Sequence, residues 1–549
     1  MTREKEDWEV GLCGMGKRET PRSSQTGQSG NVGLPVRGWL IHTPDKDYID
    51  RVLAAAPRYG INHLDISHDF VHNIDEILER PGLAELVEQT ARRCLELGIE
   101  AFVWSHEFNT RQPNLILNPA KPEGRAFWES RKQAYRDALK RCPSVAGVVL
   151  MFGSCPTEIW DPRITDPYWT RLSWPQRVRR VTQVVQSVVC GEMRRKLWVR
   201  DFNHGPAELR ALIDGLRDLP GITVYSKAEP QDFQLFYPHS FSIGAYGRTP
   251  QVIEVDLNGE YWGQSLVPVS LVSYLRYRIG YGFRKGVKGA VGRIDTYDRR
   301  VLGTPSEINL YAFSRLLENP KTAEQEIYDG WLKQRYGLTP RSPAARRLQT
   351  ILQRTVLMVK ATYYTLGFWT PKNQSSMPSS MASISRAIVS KSTAQWNPAA
   401  KATEERLSNP DLPTVQAILA EKELGVTIAE QNLVELRGLR SALRPDDYQS
   451  LTKYFAGAVE VARLYQAVAR AYWLTRLVEL RCASKSEEEQ AWAAYQQLLQ
   501  WAERVEAGRV PLPGGPLQEA AKLRQFAADV ERALRSAQTE PRSESLAEQ

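Results

Sequence analysis

The chain has 549 residues, 42% of them hydrophobic and 25% charged, which is the composition of a folded soluble protein with room for two or three domains. Its formal net charge of +9 comes from 72 basic and 63 acidic residues, and the basic residues form no long run. We therefore expect no nucleic-acid partner. The positive net charge would attract an acidic polysaccharide. Without such a partner, the charge would only favour solubility. No apolar run is long enough to cross a bilayer, so we expect no membrane partner.

The first 33 residues are rich in Ser, Gly, Thr and charge, and they contain no apolar segment of the kind that a signal peptide needs. We expect this segment, 1–33, to be disordered and the protein to be cytoplasmic, while a misassigned start codon would leave export open. The six cysteines are scattered, with no Cys-x-x-Cys pair and no Cys/His group. We therefore expect no disulfide framework, no metal site and no cofactor.

From residue 34 onwards, short β-prone runs alternate with longer helical patterns. Parallel strands joined by right-handed crossovers produce this alternation, and eight such units are typical of a (β/α)8 TIM barrel of about 250 residues. A doubly wound open sheet is the alternative, but no G-x-G-x-x-G motif opens a helix after the first strand. We predict an α/β barrel over residues 34–320, with strands in the windows 36–42, 61–68, 99–107, 145–153, 196–204, 221–228, 251–260 and 288–295.

From residue 321 the pattern becomes helical throughout. The runs VQAILAEKELGVTIAEQNLVELRGL and YFAGAVEVARLYQAVARAYWLTRLVELRC carry apolar residues three and four apart, as a helix with one buried face requires. We predict an all-helical C-terminal domain over residues 321–549 and interpret its aromatic residues as core. A homodimer formed through this domain is an arrangement that the sequence leaves open.

Polar residues cluster at the predicted carboxyl ends of the strands, where a barrel of this type carries its active site. Any one of them is more often a helix cap or a surface contact. As a set they suit glycosidic hydrolysis, which needs one carboxyl group to protonate the leaving oxygen and another to activate water. The residues are His42, His68, His106, Glu107, Glu158, Arg200, Asp201, His204, Lys227, Glu260, Arg293 and Asp295.

The stretch VIEVDLNGEYWGQ (252–264) collects carboxylates on one face of a predicted strand. With period two, Glu254, Asp256 and Glu260 share a face that points into the barrel. We expect only Glu260 to reach the rim, and we expect Glu254 and Asp256 to pair with buried basic groups such as Arg293.

The run KAEPQDFQ (227–234), followed by TPQVIEVDLNGEYWGQ (249–264), resembles the corresponding part of the α-glucuronidases of glycoside hydrolase family 67. That family has a Lys-Asn-Gly-Pro-x-Asp-Phe-Gln segment after its sixth strand and a Gln-Met-x-Glu-x-Gln-x-x-Gln-Glu-Tyr-x-Gly-Gln segment on its seventh. Weaker similarities, among them YGINHLDIS, GIEAFVWSHEF and VRDF, follow in the same order over residues 34–320.

The resemblance implies removal of a uronic acid from an acidic oligosaccharide or polysaccharide by inverting hydrolysis, without a metal. Asp232 and Glu260 match the family's paired carboxylates that act on water, and Arg200 and Lys227 match its basic residues near the uronate carboxylate. Arg and Lys bind such a group through charge-assisted hydrogen bonds. The further residues predicted to contact substrate are His68, His106, Glu107, His204 and, by stacking on a sugar, Trp262.

Two departures from the family pattern leave alternatives open. Cys155 stands where the family has its general acid, so either Glu158, three residues later, replaces it or the acid is lost. The family also carries an additional domain before its barrel, where this sequence has only about 33 unpatterned residues. We therefore expect a pocket that is more open, or one that is closed by another element such as the Trp-rich loop EIWDPRITDPYWTRLSWP (158–175). The alternatives are therefore a barrel that binds a glycan without cleaving it, and a glycosidase that acts on a neutral sugar.

Overall fold

The computed structural model describes residues 33–108, 114–153, 157–296, 298–371 and 373–539; the predicted disordered segment up to residue 32, and Cys155, lie outside them. Eight parallel strands form a closed barrel in which the first strand also pairs with the eighth. The predicted TIM barrel is therefore confirmed, and each strand falls within its predicted window. The strands are β1 (Val36–Ile41), β2 (His63–Ile66), β3 (Glu100–His106), β4 (Gly147–Met151), β5 (Lys196–Arg200), β6 (Thr223–Lys227), β7 (Gln251–Asp256) and β8 (Gly289–Arg293).

Helices accompany the barrel strands in the described part of the chain. They are α1 (Lys46–Ala55), α2 (Ile74–Glu79), α3 (Pro81–Glu96), α4 (Pro122–Arg141), α5 (Pro167–Arg171), α6 (Trp174–Gln186), α7 (Pro206–Leu216), α8 (Val272–Arg284) and α9 (Ile308–Glu318). The connection from β6 to β7, residues 228–250, consists of turns where the repeat predicts a helix. Pro230, Pro238 and Pro250, with Gly244 and Gly247 at positive φ, prevent a continuous helix there.

The barrel interior is a packed core with ion pairs in it. The apolar side chains inside it are Leu40, Phe102, Trp104, Val149, Met151, Trp198, Tyr225, Val252 and Val291. Along β7, Ile253 and Val255 pack outwards against the helices, while Glu254 points inwards. The alternation of faces predicted for this strand therefore directs its carboxylates into the barrel interior.

Beyond α9 the described part of the chain is mainly helical, as predicted, with one two-stranded antiparallel sheet that pairs Tyr364–Thr365 with Phe368–Trp369. Its α-helices are α10 (Glu324–Tyr336), α11 (Pro343–Tyr363), α12 (Met381–Ser390), α13 (Thr393–Trp396), α14 (Lys401–Ser408), α15 (Leu412–Arg437), α16 (Pro445–Glu479), α17 (Lys485–Glu506) and α18 (Pro516–Thr539). Prolines in the first turn start α15 and α16, where their missing N–H is no loss. Within the described parts of the chain, no helix is long and apolar enough to cross a membrane.

The helical region packs directly on the β6–β7 connection. The backbone N–H of Leu235 donates to the Tyr364 hydroxyl, and the Tyr237 hydroxyl donates to the carbonyl of Lys391. The Trp396 indole donates to the side chain of Gln231. The helical region therefore forms part of the wall around one side of the barrel opening.

Candidate active site

Charged and imidazole side chains meet at the carboxyl end of the barrel. Because the strands are parallel and the barrel is closed, their ends surround one opening. The loops after β4, β6 and β7 add Glu158, Asp232 and Glu260. The residues that end β3, β5, β6, β7 and β8 are His106, Arg200, Lys227, Asp256 and Arg293.

Asp232 is held as an anion by three donors. Lys227 Nζ lies 2.8 Å from Oδ1, while Oδ2 accepts hydrogen bonds from Lys391 Nζ at 2.5 Å and from the Tyr261 hydroxyl at 2.6 Å. Burial alone would raise the pKa of Asp232, but the two ammonium groups outweigh it and hold the pKa well below its usual range. In this state Asp232 is a fixed negative charge and a weak base.

Glu260 stands on a tight turn after β7, not on the strand itself. The carboxylate of Asp256 accepts the backbone N–H groups of Asn258, Gly259 and Glu260. Gly259 has a φ of +98°, which favours glycine, and the turn brings Glu260 into a salt bridge with Arg293. The period-two pattern that placed Glu260 on the strand face is therefore wrong beyond Asp256, because the Asn-Gly turn ends the strand.

Asp256 supports this turn from inside the barrel. Burial raises its pKa to about 6, although the guanidinium of Arg293 and the backbone donors of the turn act in the opposite direction. A carboxylate that accepts three successive backbone N–H groups fixes a loop, so Asp256 determines where Glu260 lies.

Glu158 forms a hydrogen-bonded pair with His204 at the rim. Its Oε1 lies 3.1 Å from His204 Nε2, and its Oε2 accepts a hydrogen bond from the Trp160 indole at 2.6 Å. The side chains are 20% and 49% exposed, so solvent reaches the pair. The hydrogen bond to Glu158 raises the pKa of His204, which therefore keeps its proton to a higher pH than an ordinary histidine.

Two phenylalanine rings lie between the three carboxyl groups along one wall of the site. The His204 ring lies edge-on to Phe202, with ring centroids 5.2 Å apart, and Lys227 Nζ lies 4.7 Å from the centroid of the same ring. On the other side Lys227 lies 4.2 Å and Arg293 5.0 Å from the centroid of Phe233. Phe202 therefore separates the Glu158 pair from Asp232, and Phe233 separates Asp232 from the Glu260 pair.

Arg200 lies deeper than its predicted role requires. Its Nε donates to Glu254 at 2.7 Å, its Nη1 contacts the sulfur of Met151, and the guanidinium lies over the Trp104 ring. Both members of the ion pair are almost completely buried. Glu254 thus pairs with a buried cation as predicted, but with Arg200 rather than Arg293, and Arg200 is occupied by a protein carboxylate instead of standing free for a substrate.

Four histidines lie at the carboxyl ends of β1 to β3 or just beyond them. The rings of His42 and His68 lie 4.1 Å apart, and His106 stacks on His72 at 3.8 Å. Burial lowers the pKa of all four, that of His106 to about 3. These imidazoles are neutral at physiological pH, but only His68 and His72 are partly exposed and can exchange hydrogen bonds with ligand hydroxyl groups. The substrate contact predicted for His106 is therefore wrong, because this side chain is almost completely buried.

Glu107 and Trp262, both predicted to contact the substrate, contact other parts of the protein instead. Glu107 accepts hydrogen bonds from Arg131 and, at 2.5 Å, from the Tyr135 hydroxyl, both on α4, so its carboxylate joins strand to helix. Trp262 is fully buried and packs edge-on against Tyr274 of α8. The stacking role predicted for Trp262 is corrected here, because a sugar cannot reach a fully buried indole.

The sequence does not predict the two residues that contact Asp232 together with Lys227, namely Tyr261 and Lys391. Tyr261 stands next to Glu260 and could have been found as a hydroxyl beside a predicted carboxylate. Lys391 lies 159 residues beyond Asp232, and nothing local in its surroundings, IVSKSTAQW, marks it. Only the packing of the helical region on the β6–β7 connection brings it to the site.

A separate cleft of about 940 Å³ lies between the barrel loops and the helical region. It is lined by Leu266 and Arg299 from the barrel and by residues of α15, α16 and the segment that precedes α18. None of the predicted site residues lines it. No cluster of three or more His, Cys, Asp or Glu side chains that could hold a metal ion occurs among the described residues.

The overall structure resembles solved glycoside hydrolases. A GH138 enzyme described as targeting pectin rhamnogalacturonan II matches 94% of this chain and 68% of its own, with a TM-score of 0.60 and 12% identity. A mutant O-GlcNAc hydrolase of Thermobaculum terrenum (11% identity, 92% of this chain and 95% of its own) and CpGH84B (10%, 92% and 77%) both have TM-scores of 0.45. No protein-family model and no curated protein matches the chain. The first likeness shows the fold, and none of these three structures is described as a family 67 enzyme.

Proposed function

We propose that this protein is a glycoside hydrolase that removes a uronic acid of the glucuronic acid type from an acidic glycan by inverting acid/base hydrolysis. The observation that carries the proposal is the grouping of Glu158, Asp232 and Glu260 at one barrel opening, where two lysines contact Asp232. The fold shared with a GH138 enzyme that targets rhamnogalacturonan II supports the reaction class.

In the proposed reaction Glu260 takes a proton from a water molecule as the water oxygen bonds to the anomeric carbon. The bond from that carbon to the leaving oxygen breaks, and Glu158 gives the leaving oxygen its proton. Asp232, a weak base in this structure, orients the water. The configuration inverts because water arrives on the face opposite the leaving group, which requires acid and base roughly 6.5–9.5 Å apart.

The remaining predicted residues have binding roles in this proposal. Lys227 faces the uronate carboxylate, and the neutral, partly exposed ring of His68 hydrogen-bonds sugar hydroxyls. His106 has no substrate contact in this proposal, because it is almost completely buried and its Nδ1 donates to the carbonyl of His72. After each turnover the His204 imidazolium gives a proton to Glu158 and regains one from solvent, while Glu260 releases to solvent the proton that it took from water. Arg200 supports the floor of the pocket through Glu254 and does not contact the substrate.

The test compares the wild-type protein with Glu260→Gln and Glu158→Gln on 4-nitrophenyl α-glucuronide and on glucuronoxylan fragments. We expect kcat to fall about 100- to 10,000-fold in Glu260→Gln, because the proton acceptor is removed while the size of the side chain is kept. Proton NMR of the first-formed sugar should show the inverted anomer. Glu503→Gln, on the exposed face of α17, is the matched control and should leave kcat unchanged. Equal activity in wild type and Glu260→Gln would refute the role of Glu260.

A glycan-binding protein without catalysis is the second candidate. Asp232 and Glu260 both stand in ion pairs, which suits carboxylates that accept hydrogen bonds from sugar hydroxyls and never gain a proton. Calorimetry against a panel of acidic glycans, with analysis of the recovered ligand, distinguishes the two functions. Tight binding with intact ligand favours the binder, and release of a monosaccharide favours the hydrolase.

A further inference from the structure

Lys391 belongs to the helical region yet contacts the centre of the candidate site. It follows the last residue of α12, and its Nζ donates to Asp232 Oδ2 at 2.5 Å and to the Tyr261 hydroxyl at 2.7 Å. The Tyr261 hydroxyl in turn donates to the same oxygen of Asp232. Lys391 is therefore part of a closed hydrogen-bonded triangle at the barrel opening.

The backbone around Lys391 is fixed independently of its side chain. Its carbonyl accepts a hydrogen bond from the Tyr237 hydroxyl at 2.8 Å. The Thr393 hydroxyl donates to the carbonyl of Gly367 at 2.9 Å, and the Trp396 indole donates to Gln231 at 3.2 Å. Because none of these bonds involves the ammonium group, we expect a substitution of Lys391 to change the charge without releasing the segment.

Asp232 balances the charge of only one of the two ammonium groups that contact it. Lys227 and Lys391 together carry two positive charges against the single negative charge of Asp232. The side chain of Lys391 is 20% exposed and that of Lys227 is 6% exposed, so Lys391 is the more accessible of the two from the opening. An ammonium group has three donors, and the two contacts of Lys391 use two of them.

We propose that Lys391 and Lys227 form a two-cation clamp for the carboxylate of the substrate, so that the helical region sets the preference for a uronide over a neutral sugar. This inference rests on the proposed function, which supplies the uronide. Each oxygen of the uronate carboxylate accepts a hydrogen bond from one ammonium group, as charge-assisted pairs of this kind do. Lys391 here is a specificity residue that takes no part in proton transfer.

The test is calorimetric titration with D-glucuronate and with D-glucuronamide, in which a neutral amide replaces the carboxylate. We expect Lys391→Met to weaken glucuronate binding about 10- to 100-fold, the effect of one charge-assisted hydrogen bond, and glucuronamide binding less than about twofold. Lys391→Arg keeps the charge and should retain most of the affinity. Lys485→Met, on the exposed start of α17, is the control and should bind as wild type does.

The remaining outcomes distinguish a failure of the clamp from a failure of the proposed hydrolase. Equal weakening of both ligands by Lys391→Met would give Lys391 a purely structural role and would refute the clamp, as would wild-type protein without preference for glucuronate. A clamp that behaves as expected in a protein that hydrolyses no uronide would leave the inference standing and refute the hydrolase. Hydrolysis of uronides with unchanged glucuronate affinity in Lys391→Met would refute the clamp alone.

Discussion

His204 Nε2 and Glu158 Oε1 lie 3.1 Å apart, and this hydrogen bond raises the pKa of the imidazole. We expect His204 to titrate above the ordinary value of about 6.5 and to return towards it in Glu158→Gln. The stabilisation from a raised histidine pKa is fully present below the unfolded value and disappears as pH rises through the folded one. NMR titration of the imidazole protons measures the shift. His239, whose pKa burial lowers to about 3, is an internal control that should stay neutral. An unchanged His204 titration in Glu158→Gln would contradict the pairing.

The buried pair of Arg200 and Glu254 predicts a large loss of stability when one partner is removed. Arg200→Met should lower the free energy of unfolding by about 3–5 kcal/mol, because it leaves the Glu254 carboxylate buried without its cation. The double variant Arg200→Met/Glu254→Met should recover most of this loss. Arg535→Met, which breaks an exposed pair with Glu531, should cost much less, because solvent screens this pair. Urea unfolding measures all three, and an Arg200→Met cost as small as that of Arg535→Met would refute the prediction.

Asp295 predicts a fall in stability between pH 5 and pH 7. Burial raises its pKa to about 7, although its carboxylate accepts the backbone N–H groups of His42 and Thr43. The folded state therefore binds more protons than the unfolded state over this range, and the free energy of unfolding should fall by about 2–3 kcal/mol as pH rises. Asp295→Asn should remove this component, and the exposed Asp446→Asn should not. Urea unfolding at pH 5, 6, 7 and 8 tests this, with equal slopes in both variants counting against it.

Gly259 predicts a coupled loss of stability and activity. A Cβ added there would lie 2.3 Å from the indole of Trp262, and φ is +98°. Gly259→Ala should lower stability by about 1–3 kcal/mol and displace Glu260. Gly286→Ala is the matched control, since Gly286 has a φ of +80° with no atom within 4 Å of its added Cβ, so it reports backbone strain alone. Thermal unfolding and kcat of both variants should show the larger loss in Gly259→Ala; equal losses would mean that the indole contact has no effect.

The local signals of the sequence were sufficient for the barrel. The alternation of β-prone runs with helical patterns predicts all eight strands, because each of these patterns depends only on residues a few positions apart. The helix between β6 and β7 is missing, and its prolines and glycines were visible in the sequence. Likewise, Asn258-Gly259 is a strong turn sequence that ends the strand, and it outweighs the period-two pattern that places Glu260 on the strand face.

The partners of the site residues were harder to predict than their positions. Arg200 stands at the carboxyl end of a strand, as the substrate-binding residues of such barrels do, but burial beside Glu254 decides what it binds. Trp262 likewise follows a strand, and its burial depends on α8. Lys391 depends on the packing of a whole helical region, which no local pattern contains.

In the proposed clamp, Asp232 and the ligand share the same two ammonium groups. A uronate carboxylate that takes the third donor of Lys391 leaves this lysine in contact with Asp232, so the cause that holds the pKa of Asp232 down stays in place. Asp232 would then remain an anion whether the opening is empty or filled, and the proton acceptor of the proposed reaction would remain Glu260.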